Sequence, residues 1–306
     1  MSAPLSQRSV EKYLAVPGGR VWCRVTGSGD RVPILLVHGG PGAGHDYLEP
    51  LLGLADAGHR VVVWDQLGCG RSDAPAQPSL YRLERQVEEL AAIRAALGLE
   101  RVHLFGQSLG GWLAIEYLLS EPTGVVSLNL ASTSSGAPAL MRGMEALRRQ
   151  LPADVRETLE RGEASGDVDG EAYQAAELCF VRRHVCRLDP FPAPLVRTIE
   201  NTARSPAYQV MYGRNQFLLT GSLRGWDRRT EVGRLRMPTL VSCGRHDKFV
   251  PACSQELHEA IPGSELHVFE QSSHMSHLEE PERFVAVVED FLDLAEQAAV
   301  QESRST

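Results

Sequence analysis

The sequence predicts an α/β fold in which a mainly parallel sheet is covered by helices on both faces and interrupted by a helical insertion. Three observations carry this. Short, continuous apolar runs recur at Ile34 to Val37, Val61 to Trp64, Val102 to Phe105, Val125 to Leu130 and Thr239 to Ser242. Runs of that length without polar alternation mark strands buried on both faces. Helical periodicity lies between them: Leu83, Val87, Leu90, Ile93, Ala96 and Leu97 form one stripe of the segment Leu80 to Leu97. Third, the alternation stops after Leu130 and resumes at Thr239, and the residues between are helix-patterned, proline-punctuated and strongly charged.

Taken in order, Tyr13 to Thr26 reads as two strands joined by a tight turn at Pro17-Gly18-Gly19, an antiparallel hairpin. The buried strands follow, and Leu109 to Leu119 continues the third of them as a helix. In the insertion, apolar positions recur at helical spacing around Met141 to Leu151 and Glu171 to Val185. Strand texture returns at Thr239 and at Leu266 to Phe269, followed by an amphipathic helix from Pro281 to Leu294 and a polar tail, Gln297 to Thr306, expected to fray. The predicted organisation is a core of residues 1–130 and 237–306 interrupted by a cap of residues 131–236, with no internal repeat.

Composition narrows the function. A chain of 306 residues with 43% hydrophobic content buries a full core. The net charge of -8, with no basic block, argues against nucleic acid as a partner. The only lysines are Lys12 and Lys248, and neither follows a glycine, so no Walker-type phosphate loop is present. Six scattered cysteines without a Cys-x-x-Cys pair suit reduced, buried thiols. The polar stretch Met1 to Lys12 lacks the apolar core of a signal peptide and no apolar run reaches membrane-spanning length. A cytoplasmic protein with no membrane partner is expected.

The chemistry-bearing residues sit where strands end. Gly106-Gln107-Ser108-Leu109-Gly110 follows the strand Val102 to Phe105 and opens a helix. Glycines on both sides let the backbone turn sharply and lift Ser108 out at the sheet edge, the nucleophile elbow of an α/β-hydrolase fold. His38-Gly39-Gly40-Pro41-Gly42 also follows a strand. Alone it suits a phosphate-binding nest; beside the elbow it reads as an oxyanion loop, with the N–H groups of Gly40 and Leu109 as donors. Asp247 follows the strand Thr239 to Ser242, and His274 follows Leu266 to Phe269, giving the chain order Ser, Asp, His expected of this fold. His274 is the expected base and Asp247 the acid that orients it, with His246 and His277 as rivals for the base. A metal reading of His274, His277 and Glu279 lacks the His-Glu-x-x-His helix, so no metal is expected.

These motifs, together with Asp65-Gln66-Leu67-Gly68-Cys69-Gly70-Arg71-Ser72, Gly111 and Ser273-His274-Met275, resemble the proline iminopeptidase group of α/β-hydrolases. The resemblance extends into the insertion, at Tyr212 to Phe217 and Gly221 to Asp227. It implies a sheet of about eight strands under a helical cap and hydrolysis through an acyl-serine without a cofactor. Gly39, Gln216 and Lys248 are the expected substrate-contacting positions. The substrate so implied is a small amide, either an amino acid amide or a short peptide that loses its N-terminal residue. Two departures bear on this. The group's aminopeptidases hold the substrate's free α-amine with two glutamates, and the matching positions here are Gln216 and Lys248. A neutral amide and a cation do not supply the charge an ammonium needs. Loss of the free-amine preference is therefore expected, and an esterase or lactonase for uncharged or anionic substrates is the alternative. Glu200 and Asp189 are cap acids available as substitutes, although their setting is that of solvated or capping residues. A binding-only scaffold is the third reading, disfavoured because every catalytic group is retained.

Overall fold

A computed structural model describes residues 9–305; the first eight residues of the polar N-terminal stretch, and Thr306, lie outside the described residues. Strands β1 (Ser9–Val16) and β2 (Gly19–Thr26) form the expected hairpin. β3 (Ile34–Val37), β4 (Val61–Trp64), α1 (Leu83–Ala96), β5 (Val102–Gln107), α2 (Leu109–Leu119) and β6 (Val125–Ala131) follow. The insertion carries α3 (Ala137–Arg148), α4 (Ala153–Ser165), α5 (Glu171–His184), α6 (Ala193–Arg204) and α7 (Pro206–Met211). The chain returns as β7 (Thr239–Gly244), α8 (Pro251–Ala260), β8 (Glu265–Phe269), the short α9 (Ser276–Glu279) and α10 (Pro281–Ser305).

The eight strands form one sheet in the order β1-β2-β4-β3-β5-β6-β7-β8, antiparallel at β1-β2 and β2-β4 and parallel beyond. Alternate residues of β3 enter different cores, as strand periodicity requires. Leu35 and Val37 pack with Leu90 and Ile93 of α1 and Trp112 of α2. Ile34 and Leu36 pack in one cluster with Leu48 and Leu51 and with Phe284, Val288 and Phe291 of α10. Leu48 and Leu51 belong to a 3-10 helical stretch, Asp46–Ala57, which no periodic pattern announces because Pro50 and Gly53 break it. α10 runs past the predicted end at Leu294. Arg31 bridges to Asp293 and Glu296 at 2.5 and 3.0 Å, and Ala295 is buried, so packing against the core carries the helix past Leu294.

The insertion is fastened to the sheet edge at several points. Arg197 of α6 pairs with Asp46 and Glu49 at 2.6 Å each, and Ser205 Oγ donates to the Gly68 carbonyl at 2.5 Å. Trp226 stacks on Trp112 with centroids 4.4 Å apart. At the end of α5, the Lys248 N–H donates to the His184 carbonyl and the Met275 N–H to the Val185 carbonyl, at 3.0 and 3.1 Å. Those two bonds tie α5 to the loops holding Asp247 and His274. No helix among the described residues is long and apolar enough to cross a membrane.

Candidate active site

Ser108 occupies the turn between β5 and α2 with φ 57° and ψ -128°, a conformation that costs a non-glycine residue energy. Three hydrogen bonds hold it there: its N–H donates to Ala131 O at 2.9 Å, and its carbonyl accepts from Gly111 N at 2.9 Å and Thr133 Oγ1 at 2.7 Å. Close approach explains the flanking glycine, since a Cβ on Gly110 would lie 2.2 Å from the Val37 carbonyl oxygen. The strained turn is thus over-determined by β3, β6 and α2.

The structure brings Ser108, His274 and Asp247 together. His274 Nε2 lies 3.0 Å from Ser108 Oγ, and His274 Nδ1 lies 2.8 Å from Asp247 Oδ1. Asp247 Oδ1 also accepts from the Phe249 N–H at 2.8 Å, and the Phe249 ring stacks on the imidazole at 5.4 Å. All three side chains are buried. Burial pushes the His274 imidazole below its ordinary value; the Asp247 carboxylate opposes this and the Lys248 ammonium adds to it. His274 is therefore poised as a neutral base.

Gly40 has φ 116° and opens on the cavity beside Ser108, while Leu109 begins α2. Neither N–H donates to another group among the described residues. Gly39 behaves differently. Its N–H donates to Tyr47 Oη at 2.6 Å, Tyr47 donates to Gln107 Oε1 at 2.9 Å, and Gln107 Nε2 donates to the His274 carbonyl at 3.1 Å. The expected substrate contact at Gly39 is thus corrected to a structural one, because its donor is already used inside the protein. Sequence reasoning missed Tyr47, and took Gln107 only as part of a motif. The Asp65 to Ser72 motif is also a brace: Asp65 accepts from the N–H groups of His45 and Arg71 at 2.8 Å each, and the Gln66 N–H donates to His38 Nε2 at 3.0 Å.

The rivals fall away on geometry. His277 packs between the rings of Tyr47 and Phe284, and burial pushes its pKa down to about 3. Glu279 accepts from the N–H groups of Ser273 and Arg187, both at 2.7 Å. His246 does not line the cavity. Two other clusters among the described residues offer metal-competent side chains, His59 with His103 and Glu296, and His45 with Asp46 and Glu49. The first lies at the opposite end of β5 from Ser108, with Glu296 engaged by Arg31. The acids of the second are paired with Arg197, and neither cluster reaches the cavity.

Between the sheet edge and the insertion lies a cavity of about 670 Å³, lined by Ser108, His274, Gly40, Gln216 and Lys248. It also contains Glu177 of α5, which sequence reasoning did not single out. Gln216 Nε2 donates to Glu177 Oε1 at 2.8 Å. Burial pushes the Glu177 carboxyl up, and the Gln216 hydrogen bond and the Lys248 charge oppose that. Lys248 Nζ has no hydrogen-bond or ion-pair partner among the described residues, and burial lowers its pKa against the pull of Asp247 and Glu177. Positions 216 and 248 supply no carboxylate, as expected, but Glu177 brings a carboxyl group into the cavity and the Gln216 amide donates to it. Of the proposed substitutes, Glu200 is exposed and Asp189 pairs with Arg182 at 3.0 Å, both outside the cavity. The available signal for Glu177 was its place on the α5 stripe with Gln174 and Val181.

A family model described as the alpha/beta hydrolase fold matches residues 32–281. A proline iminopeptidase from Heyndrickxia coagulans is 38% identical over 284 residues, covering 92% of this chain and 98% of that protein. The crystal structure of a proline iminopeptidase from Mycobacterium smegmatis superposes with a TM-score of 0.89 at 34% identity, covering 95% of this chain and 100% of that one. That of VinJ does so with a TM-score of 0.91 at 36% identity, covering 94% and 99%. With a strained serine at the strand-to-helix turn, an Asp-His pair behind it and this extent of likeness, the chain belongs to the proline iminopeptidase family of α/β-hydrolases.

Proposed function

We propose that this chain is a serine hydrolase that removes one amino acid with a free α-amine from a small amide. The observation that carries it is the carboxylate of Glu177 in the same cavity as Ser108. Ser108 Oγ attacks the carbonyl carbon while His274 Nε2 takes its proton, and Asp247 holds the tautomer and stabilises the imidazolium. The N–H groups of Gly40 and Leu109 receive the oxyanion, aided by the N-terminus of α2. Collapse breaks the C–N bond as His274 returns the proton to the leaving nitrogen, and water then releases the acyl group by the same steps reversed. Glu177, oriented by Gln216, takes the substrate's ammonium. The relatives' activity makes prolyl substrates the first to try.

The test compares prolyl and alanyl amides with free and acetylated amines. Wild type should prefer the free amine by more than about tenfold in kcat/KM, as loss of a shielded ammonium–carboxylate contact predicts. Glu177→Gln should remove most of that preference, chiefly through KM, and Glu177→Asp should restore part of it. Equal rates on free and blocked substrates in wild type would overturn the assignment of Glu177 and favour the esterase reading.

A further inference from the structure

The cavity is two-ended, and the division runs along α5. This helix presents Gln174, Glu177, Leu178 and Val181 to it, with Val185 just beyond its last turn. From Glu177 to Val185 the helical rise is about 12 Å. The acidic lining residues belong to the first end, Glu177 on α5 and Asp169 just before that helix, which pairs with Arg214 at 2.6 Å; Lys248, whose N–H donates to the His184 carbonyl, reaches the cavity from beside the last turn of α5. The other end is lined by Val181, Val185, Phe191, Leu195, Ile199 and Met275, without a charged side chain. Thr198 and Thr202 also face it, but their hydroxyls are committed to backbone carbonyls, those of Pro194 and Thr198, at 3.0 and 2.9 Å. The apolar lining continues to the rim, where Leu178 is 40% and Ile199 46% exposed.

We propose that the substrate's leaving group is an apolar amine lying along this uncharged wall, rather than a polar peptide. This rests on the amine-binding reading of Glu177. With the acyl ammonium at the charged end and the carbonyl carbon at Ser108, the rest of the substrate has only the apolar end to occupy. The position of the base agrees: His274 delivers its proton to the leaving nitrogen, and its neighbour Met275 donates its N–H to Val185 O, at the start of that wall. A cavity of 670 Å³ also falls within the range of about 300–1,000 Å³ that encloses a drug-sized molecule, more than one amino acid fills. A peptide leaving group would bring backbone N–H and C=O groups to a wall whose side chains are mostly apolar, and that desolvation is unfavourable. In the reaction the Ser108 Oγ–C bond forms, the C–N bond breaks, the proton from Ser108 passes through His274 to the nitrogen, and the apolar amine leaves neutral.

The experiment holds the acyl residue constant as proline and varies the amine: ethylamide, butylamide and hexylamide, against prolyl-glycine with its free carboxylate. At the burial energy of a methylene, kcat/KM should rise by at least about twofold per added carbon until the wall is covered. Prolyl-glycine should be slower than the hexylamide by more than about tenfold. Ile199→Asp, at an exposed position where the fold tolerates it, should lower the hexylamide rate several times more than the ethylamide rate. A flat series, or prolyl-glycine matching the hexylamide, overturns the proposal while leaving Glu177 in place. Turnover of esters but of no amide would instead overturn the functional reading beneath it, and this inference with it.

Discussion

The sheet edge that carries Ser108, Asp247 and His274 and the insertion that covers it are built by different rules. At the sheet edge the geometry is set by backbone: a residue at positive φ, a glycine packed onto a carbonyl, and the Gly39-Tyr47-Gln107 relay joining the loop after β3 to the His274 loop. In the insertion the binding surface is made by side chains on helices, where the backbone is already satisfied within the helix and any face residue is free to change. Position 216 carries an amide, and it donates to a glutamate on another helix, Glu177. The contrast teaches that the reacting groups of this molecule are held by backbone geometry and the cavity lining by side chains on helices.

The largest expected effect breaks the sheet-edge side. Ser108→Ala and His274→Ala should each lower kcat by about 10⁴-fold or more, as groups acting as one unit do, whereas His277→Ala and His246→Ala should keep turnover within about tenfold of wild type. A fluorophosphonate should label Ser108 alone. Labelling elsewhere, or the opposite ranking of the histidines, moves the site.

A smaller effect sharpens the link between the two regions, because Lys248 belongs to both. His274 must be neutral to accept the serine proton, and its pKa is held below the ordinary value of about 6.5. The kcat/KM profile should therefore fall on acidification with a midpoint below that value. Lys248→Met removes one of the groups that lowers it, so the midpoint should move up, by a few tenths to about one unit. An unchanged midpoint in the variant would place the ammonium away from the imidazole.

The smallest effect concerns stability and separates buried histidines from the reacting one. Burial lowers His103 to about 4 and His277 to about 3. Both bind protons less readily in the folded state than in the unfolded chain, at about 6.5. Their contribution is fully present above that pH and is lost as pH falls toward the folded values. Urea midpoints should thus decline from pH 7 to 4, and His277→Asn should flatten the slope without shifting the activity midpoint; an equal slope in the variant would assign the decline to other groups.

Much of this was legible in the chain itself. Continuous apolar runs are legible because a strand covered on both faces tolerates nothing else, and the elbow, oxyanion loop, Asp247 and His274 are legible because each lies within a few residues of a strand end. The 3-10 stretch of Asp46–Ala57 and the last turns of α10 were not, since burial against α6 and the pairs with Arg31, rather than periodicity, keep them ordered. The same division runs through the site. Sequence alone determined the fold, the order of the three reacting side chains and the lack of a glutamate at 216 and 248, all properties of residues near one another along the chain. Only the tertiary structure decided that Gly39 spends its N–H on Tyr47, that Glu177 meets the Gln216 amide in the cavity from 39 residues away, and that the far half of the cavity is apolar. Such contacts arise where helices meet the sheet edge, and local spacing does not encode which of their faces come together.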